Sequence, residues 1–125
     1  MDSQEKGRLG EKLAVDYLKS SGYDILDMNY HSRFGEIDII AAHNRFIVFV
    51  EVKLRKENSL VSPSESVIKS KQRKIIKTAV QYLFKNQTQL QPRFDVIEIK
   101  ITKDKYESIN HIKNAFWQDE SYSAY

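Results

Sequence analysis

The sequence predicts an α/β sandwich, in which a central mixed β-sheet is flanked by helices. Two neighbouring segments, 35–42 and 46–53, are rich in β-branched and aromatic residues and are apolar on both faces for most of their length. Strands of this kind are normally covered by helices on both sides. Amphipathic helical patterns occupy 3–21 and 64–86, on either side of these strands, and an alternating strand pattern follows at 93–102. Because the helix at 64–86 connects two strands, we expect those strands to be parallel.

The first predicted helix, 3–21, ends near Gly22, a residue type that often terminates helices. Glu11 lies at the edge of its apolar stripe. The stripe itself repeats at helical spacing and consists of Leu9, Leu13, Ala14, Tyr17 and Leu18. The segment 23–30 that follows predicts a strand, although several of its residues are polar.

The segments 35–42 and 46–53 predict a β-hairpin whose connection is His43-Asn44. With a two-residue connection at that place, Glu36 lies directly opposite Glu51, and Asp38 lies diagonal to Glu51 on the same face. Lys53 shares this face, because strand side chains repeat every second residue. The hairpin is therefore expected to gather three carboxylates and an amine at one end of a buried sheet.

Carboxylates this close repel one another and remain ionised only beside a positive charge. Lys53 is one candidate for that charge, and a divalent cation is the other. Mg²⁺ and Mn²⁺ favour such oxygen-rich sites and commonly retain water ligands. The alternative is an ordinary ion pair between Glu51 and Lys53 at the rim of the sheet, and the spacing alone leaves both interpretations open.

The long helix is predicted to begin after Pro63, with Ser62 or Ser64 as its cap. Lys71 and Gln72 interrupt its apolar stripe, so we expect both to point toward the sheet. The stripe consists of Val67, Ile68, Ile75, Ile76, Ala79, Val80 and Leu83.

The same helix carries many basic residues and a single acid, Glu65. A helix charged in this way attracts polyanions such as nucleic acid, although a solvated surface face would have the same composition. The basic residues that we expect to contact a phosphate backbone lie on this helix and directly after the acidic strand. Together with Gln72 they are Arg55, Lys56, Lys69, Lys71, Arg73 and Lys74.

The remaining features bound the class of protein. A chain of 125 residues suits one compact domain, which we expect to span 1–117, with 108–116 adding a short strand or helix and 118–125 forming a flexible tail. No cysteine is present, which excludes disulfides and thiol catalysis. Neither a signal peptide nor an apolar run long enough to span a bilayer is found, so we expect a cytoplasmic protein that does not associate with membranes.

These residues resemble a known family. Asp38 and the Glu51-Val52-Lys53 run resemble the signature of the PD-(D/E)xK nuclease superfamily. Within it, the chain closely resembles the bacterial YraN-like family, which is regarded as related to endonucleases. The motifs that carry the resemblance are GRLGEKLAVDYL, GEIDIIA, FVEVK, RFDVIEI and HIKNAF, which together extend over most of the chain.

The resemblance implies a restriction-endonuclease-like fold and a role for particular residues. In the superfamily the aspartate and the glutamate hold Mg²⁺, which corresponds here to Asp38 and Glu51, with Glu11 or Glu36 as an additional ligand. The lysine, here Lys53, supports the attacking water or the scissile phosphate. Resolvase-like members carry an acid at the position of Glu11, and many members place a polar residue where Lys71 and Gln72 lie.

The resemblance therefore implies a nuclease that depends on Mg²⁺ or Mn²⁺ and hydrolyses phosphodiester bonds, with structured DNA favoured over RNA. Resolvase-like relatives often form homodimers. An alternative is a nucleic-acid-binding module, or an accessory subunit, that keeps the fold without cutting. The intact set of Asp38, Glu51 and Lys53 favours the nuclease, since a binder does not require three mutually dependent charges. A purely structural protein, in which the charges are ion pairs, is the third hypothesis.

Overall fold

A computed structural model of the chain describes residues 2–55, 67–102 and 105–116. Helices and strands follow one another in the predicted order, and the segment predicted as a short strand or helix at 108–116 belongs to a strand. The elements are α1 Ser3–Ser20, β1 Asp24–Ser32, β2 Gly35–His43, β3 Phe46–Arg55, α2 Lys69–Lys85, β4 Gln91–Thr102 and β5 Lys105–Phe116.

The five strands form one sheet in the order β1-β2-β3-β4-β5. Strands β3 and β4 are parallel and are connected through α2, as the sequence predicts, whereas the other neighbours are antiparallel. Helices α1 and α2 each pack on the sheet with a separate hydrophobic cluster. The predicted α/β sandwich with a mixed sheet flanked by helices is therefore confirmed.

Helix α1 begins and ends with the local signals that its sequence provides. The side chain of Asp2 accepts a hydrogen bond of 2.8 Å from the backbone N–H of Glu5. Gly22 follows the helix with φ 89°, a conformation that glycine adopts readily. Gly10 lets the helix approach β3 closely, since a Cβ there would lie 2.5 Å from Leu54 Cδ2. The buried residues of the α1 cluster are Ala14, Val15, Leu18, Tyr23, Ile39, Ala41, Val48, Val50, Ile97 and Ile99.

Helix α2 begins later than predicted. Its cap residue is Ile68, which is extended and has no side chain that could accept a backbone hydrogen bond. Instead, the Gln72 side-chain amide donates to the carbonyl of Val67 at 2.6 Å, which holds the segment before the helix against its first turn. The prediction that the helix includes Val67 and Ile68 was wrong, and Ser62 and Ser64 lie outside the described residues. The buried residues of the α2 cluster are Ile37, Ile40, Ile47, Phe49, Val67, Ile75, Ile76, Ala79, Tyr82, Phe94, Val96 and Phe116.

The hairpin between β2 and β3 turns one residue later than predicted. His43 pairs with Phe46, so the connection is Asn44 and Arg45, and Asn44 adopts the left-handed φ of 53° that asparagine tolerates. The register of the two strands consequently differs from the predicted one by two residues.

Two predictions, on the end of the domain and on the tail, concern residues that the structure does not describe. The predicted boundary of the domain at 117 and the predicted tail at 118–125 both lie beyond Phe116, the last described residue. Of the helices in the described part of the chain, none combines the length and apolar character that crossing a bilayer requires.

Candidate functional site

The acidic end of the hairpin lies in a pocket of about 350 Å³ between the sheet and α2. Strands β2 and β3 supply carboxylates, and the first two turns of α2 supply lysines. The residues that line the pocket are Gly35, Glu36, Asp38, Glu51, Ile68, Ser70, Lys71, Lys74 and Ile75. Acidic and basic side chains of three separate elements therefore meet in one concave place.

Asp38 and Glu51 form the acidic centre of this pocket. Ile39 and Val50 are the last paired residues of the two strands at this end, and Asp38 and Glu51 come next to them on β2 and β3. Asp38 Oδ2 accepts a hydrogen bond of 2.8 Å from the backbone N–H of Val52. Burial and the negative charge of Glu51 raise the pKa of Asp38 to about 7, and the Val52 N–H and Lys71 only partly oppose this. The two carboxylates therefore repel each other, as neighbouring like charges do.

The prediction that Glu36 lies directly opposite Glu51 was wrong. The later turn shifts the strands by two residues, so Glu36 lies beyond the last paired position, that of Ile39 and Val50. Glu36 is exposed, although it lines the same pocket, and its Oε2 lies 3.2 Å from Nδ1 of His31 on the neighbouring strand β1.

Two lysines neutralise Glu51, which is almost completely buried. Lys71 Nζ lies 2.8 Å from Glu51 Oε1, and Lys53 Nζ lies 3.5 Å from the same oxygen. Burial alone would lower the pKa of Lys71, but the hydrogen bond and charge of Glu51 outweigh it and raise that pKa. Burial and the neighbouring Lys71 ammonium lower the pKa of Lys53, against the attraction of Glu51. The expectation that Lys71 points toward the sheet is confirmed, and Lys71 rather than Lys53 lines the pocket.

Glu11 lies on α1. Its negative charge contributes to the raised pKa of Asp38, but Glu11 is not among the residues that line the pocket. Across residues 2–55, 67–102 and 105–116, no group of three or more acidic or histidine side chains is arranged so that it could hold a metal ion. The structure thus brings Asp38, Glu51 and Glu36 to one pocket, with Glu36 turned toward His31, whereas Glu11 does not line this pocket.

The donors of this pair fit Mg²⁺ or Mn²⁺ in their chemistry. Both side chains are carboxylates, the ligands that these hard cations prefer, and they belong to adjacent strands that fix their separation. The ammonium of Lys71 occupies the position beside Glu51 Oε1 where a cation would be attracted. A metal ion held by Asp38 and Glu51 would relieve the same repulsion that raises the pKa of Asp38.

The predicted nucleic-acid contacts have different surroundings. Lys69, Arg73 and Lys74 are exposed on α2 near the pocket. Arg55 is half-buried, and its Nε donates to Glu98 Oε2 at 3.0 Å, so part of its charge is already neutralised. Lys56 lies outside the described residues.

A buried polar cluster that was not predicted lies on the side of the sheet that α1 covers. Asp95 is fully buried and accepts two hydrogen bonds from Arg93, at 3.0 and 2.9 Å. His111 Nε2 lies 2.7 Å from Asp95, and the backbone N–H of Asn114 donates to it at 2.9 Å. His111 Nδ1 in turn lies 2.9 Å from the hydroxyl of Tyr17 on α1. The spacing of Arg93 and Asp95, two residues apart on one strand, was the available signal.

An α/β sandwich with a pocket of paired carboxylates and lysines beneath α2 is the class of protein that the fold and the site define. A model described as "Uncharacterised protein family UPF0102" matches residues 10–99. A UPF0102 protein from Alkaliphilus oremlandii is 51% identical to this chain over 113 residues, which cover 88% of this chain and 96% of that protein. One from Clostridioides difficile is 49% identical over 117 residues, covering 93% of this chain and 100% of that protein. Another, from Persephonella marina, is 50% identical over 117 residues, covering 93% and 97%.

The chain therefore belongs to the UPF0102 family, and the YraN-like resemblance is confirmed.

The raised pKa of Asp38 predicts how stability depends on pH. The folded protein keeps a proton on Asp38 up to about pH 7, whereas the unfolded chain releases it near the ordinary value of 3.8. The free energy of unfolding should therefore fall as the pH rises from about 4 to about 7. Asp38→Asn removes this loss while keeping an acceptor for Val52, so we expect the variant to be about 1 to 3 kcal/mol more stable than the unaltered protein at pH 8.

Urea denaturation in metal-free buffer at pH 4.5 and pH 8 measures this difference. We expect the advantage of the variant to be small at the lower pH and to grow with increasing pH. An Asp38→Asn variant that is less stable than the unaltered protein at pH 8 would contradict the repulsion described between Asp38 and Glu51.

Proposed function

We propose that this protein is a metal-dependent nuclease of the PD-(D/E)xK superfamily that hydrolyses phosphodiester bonds in nucleic acid, with structured DNA as the favoured substrate, in the cytoplasm. The observation that carries the proposal is that Asp38 and Glu51, carboxylates of neighbouring strands, line one pocket together with Lys71 and Lys74 of α2. Buried carboxylates that repel one another reduce stability, and such an arrangement is characteristic of functional sites.

Asp38 and Glu51 would hold the metal ion, with Glu36, which lines the same pocket, or Glu11 of α1 as an additional carboxylate ligand. Mg²⁺ or Mn²⁺ bound there would supply an activated water and positive charge at the scissile phosphate. Asp38 is fixed by the N–H of Val52, and Glu51 is fixed by burial, so neither has to be reorganised when substrate binds.

Lys71 and Lys53 have complementary roles in this proposal. Lys71 neutralises Glu51 before the metal binds, and its flexible side chain can then turn toward the phosphate that enters the pocket. Lys53, whose pKa is lowered by burial, stays beside Glu51 and can orient the attacking water or contact the phosphate. The exposed Lys69, Arg73 and Lys74 would attract the backbone and make binding sensitive to salt.

A second candidate is a nucleic-acid-binding module that keeps the nuclease fold without cutting. The observation that favours it is the contact of two ammonium groups with the single oxygen Glu51 Oε1. These lysines balance the charge of Glu51 without any metal. In this case Asp38 would be protonated near neutral pH, and the basic face of α2 would provide the function.

Cleavage of a labelled panel separates the two candidates. The panel consists of single-stranded DNA, duplex DNA, a flap, a four-way junction and RNA, each with Mg²⁺, Mn²⁺ or EDTA. The nuclease predicts cleavage of at least one DNA substrate with a metal ion and none with EDTA. Binding that is independent of metal, without cleavage of any member, would favour the module. Products that form equally in EDTA would contradict the metal-dependent mechanism.

A further inference from the structure

The turn between β1 and β2 carries an aromatic ring beside two cations. Arg33 and Phe34 form this turn, since Ser32 pairs with Gly35. The Cζ atom of Arg33 lies 4.9 Å from the centroid of the Phe34 ring, and Nζ of Lys77 on α2 lies 5.4 Å from it. The ring is only partly buried, and both cations are exposed. A partly exposed ring with two cations is the combination that single-stranded nucleic acid contacts through stacking and charge.

The turn is held firmly against α2. The Thr78 hydroxyl donates to the carbonyl of Lys74 at 2.8 Å, and its oxygen lies 2.8 Å from Ser32 Oγ. Ser32 Oγ also accepts from the backbone N–H of Phe34 at 3.0 Å. Thr78 is fully buried, so this link is shielded from water. The ring is thus positioned by the scaffold, which lowers the entropy lost when a ligand binds.

A row of lysines connects the ring to the carboxylates. Lys71, Lys74 and Lys77 are three residues apart on α2, so each lies about 4.5 Å further along the helix axis. Lys71 contacts Glu51, Lys74 lines the pocket beside Gly35, and Lys77 reaches the Phe34 ring. Helix α2 contains no acidic residue, so Lys74 and Lys77 have no carboxylate on their own helix, whereas Lys71 pairs with Glu51 of β3. The three lysines are therefore arranged in line to contact the phosphates of one nucleic-acid strand.

We propose that Phe34, Arg33 and Lys77 bind an unpaired nucleotide next to the position of cleavage. The Phe34 ring stacks on the base, and the two cations, which are exposed, bind the flanking phosphates. Lys74 and Lys71 then lead the same strand to Asp38 and Glu51. A base within a continuous duplex is already stacked on both faces and cannot contact a ring at the tip of a turn. The substrate class is therefore nucleic acid with a single-stranded or branched segment.

This inference rests on the proposed function, because it assigns a substrate class to the same site. Fluorescence anisotropy in EDTA measures binding without cleavage, with a single-stranded oligonucleotide, a flap and a blunt duplex as probes. Phe34→Leu keeps apolar bulk and removes the aromatic face. We expect it to weaken binding of the single strand and the flap by about 5- to 100-fold and to change duplex binding less than about two-fold.

Two variants serve as controls, and a third tests the cations. Phe34→Tyr keeps the ring and should bind like the unaltered protein. Phe84→Leu removes a ring that is 84% exposed near the other end of α2 and should also change nothing. Lys77→Gln should lower the dependence of binding on salt by about one phosphate contact for the single strand. Circular dichroism establishes whether each variant is folded. If Phe34→Leu does not fold, Lys77→Gln still tests the nucleotide site.

The possible outcomes separate this inference from the proposed function. If Phe34→Leu and Lys77→Gln both bind the single strand as tightly as the unaltered protein does, the nucleotide site is refuted, while metal-dependent cleavage would leave the proposed function standing. If the unaltered protein neither binds nor cleaves any probe, both fail.

Discussion

For the proposed nuclease, Glu51→Gln is expected to reduce metal-dependent cleavage by at least about 10³-fold, because a metal ion supplies several kcal/mol of charge stabilisation in such reactions and the proposed site loses a carboxylate. Glu51 is also the group that pairs with Lys71 and Lys53. The neutral amide removes the attraction that raises the pKa of Lys71 and the negative charge that, in addition to burial, raises the pKa of Asp38. The substitution therefore removes the charge interactions of Glu51 while preserving the size of the side chain.

Single-turnover cleavage of the best substrate in the panel measures this effect. Asp16→Asn is the matched control, since it neutralises an exposed carboxylate of α1 that pairs with Lys12 at the surface. We expect the control to cleave within about two-fold of the unaltered protein. A Glu51→Gln variant that keeps a tenth or more of the activity would show that Glu51 has no direct part in cleavage.

Asp95→Asn is expected to lower the free energy of unfolding by about 3 to 5 kcal/mol, the effect of removing one partner of a buried ion pair. Asp95 is fully buried and receives hydrogen bonds from Arg93 and from the N–H of Asn114, with His111 at 2.7 Å. An amide in its place leaves the Arg93 charge without compensation and turns an N–H₂ group toward other donors. For a domain of this size, such a loss is a large part of the total stability.

Urea denaturation at pH 7 tests this prediction, again with Asp16→Asn as control, for which a change of less than about 1 kcal/mol is expected.

The dependence of the free energy of unfolding on acidic pH gives a second readout. Burial opposes ionisation of Asp95, but the hydrogen bonds from His111 and Arg93 prevail and lower its pKa. Its contribution is therefore present above the ordinary value of 3.8 and is lost as the pH falls toward the lowered pKa, a loss that Asp95→Asn should lack. A change below about 1 kcal/mol at pH 7 would refute the stabilising role assigned to this cluster.

Most of the fold follows from local patterns in the sequence. The strand at β3 is apolar on both faces, which requires helices on both sides, and the connection through α2 makes β4 parallel to it. The turn of the hairpin and the start of α2 were misplaced for a physical reason. Asn44 tolerates a left-handed conformation whether it ends or begins the turn, and the first turn of α2 is stabilised by Gln72, which no capping pattern indicates.

The candidate site was predictable where side chains share a face. Glu51 and Lys53 occupy alternate positions of β3, and Asp38 lies on the neighbouring strand β2. The break in the apolar stripe of α2 indicated that Lys71 points inward. Which lysine comes nearer to Glu51 depends on how α2 sits on the sheet, and this distance cannot be read from spacing along the chain.

Contacts between distant parts of the chain were not predictable in the same way. The hydrogen bond between Ser32 and Thr78 joins residues 46 positions apart, and the one between Tyr17 and His111 joins residues 94 apart. Neither pair has a periodic pattern that would indicate its partner. The aromatic ring at Phe34 belongs to this group, since only the packing of the turn on α2 brings Lys77 to it.

The central claim is that Asp38 and Glu51 form a metal site, and titration of Mn²⁺ into the metal-free protein by isothermal calorimetry tests it most directly. The unaltered protein, Asp38→Asn, Glu51→Gln and Asp16→Asn are compared at pH 8. We expect Mn²⁺ to bind the unaltered protein and Asp16→Asn with equal affinity, and the two site variants to bind at least about 10-fold more weakly. Mn²⁺ binding that is equal in all four proteins, or that is absent from the unaltered one, would contradict the claim and favour an ion-pair network or a binding module.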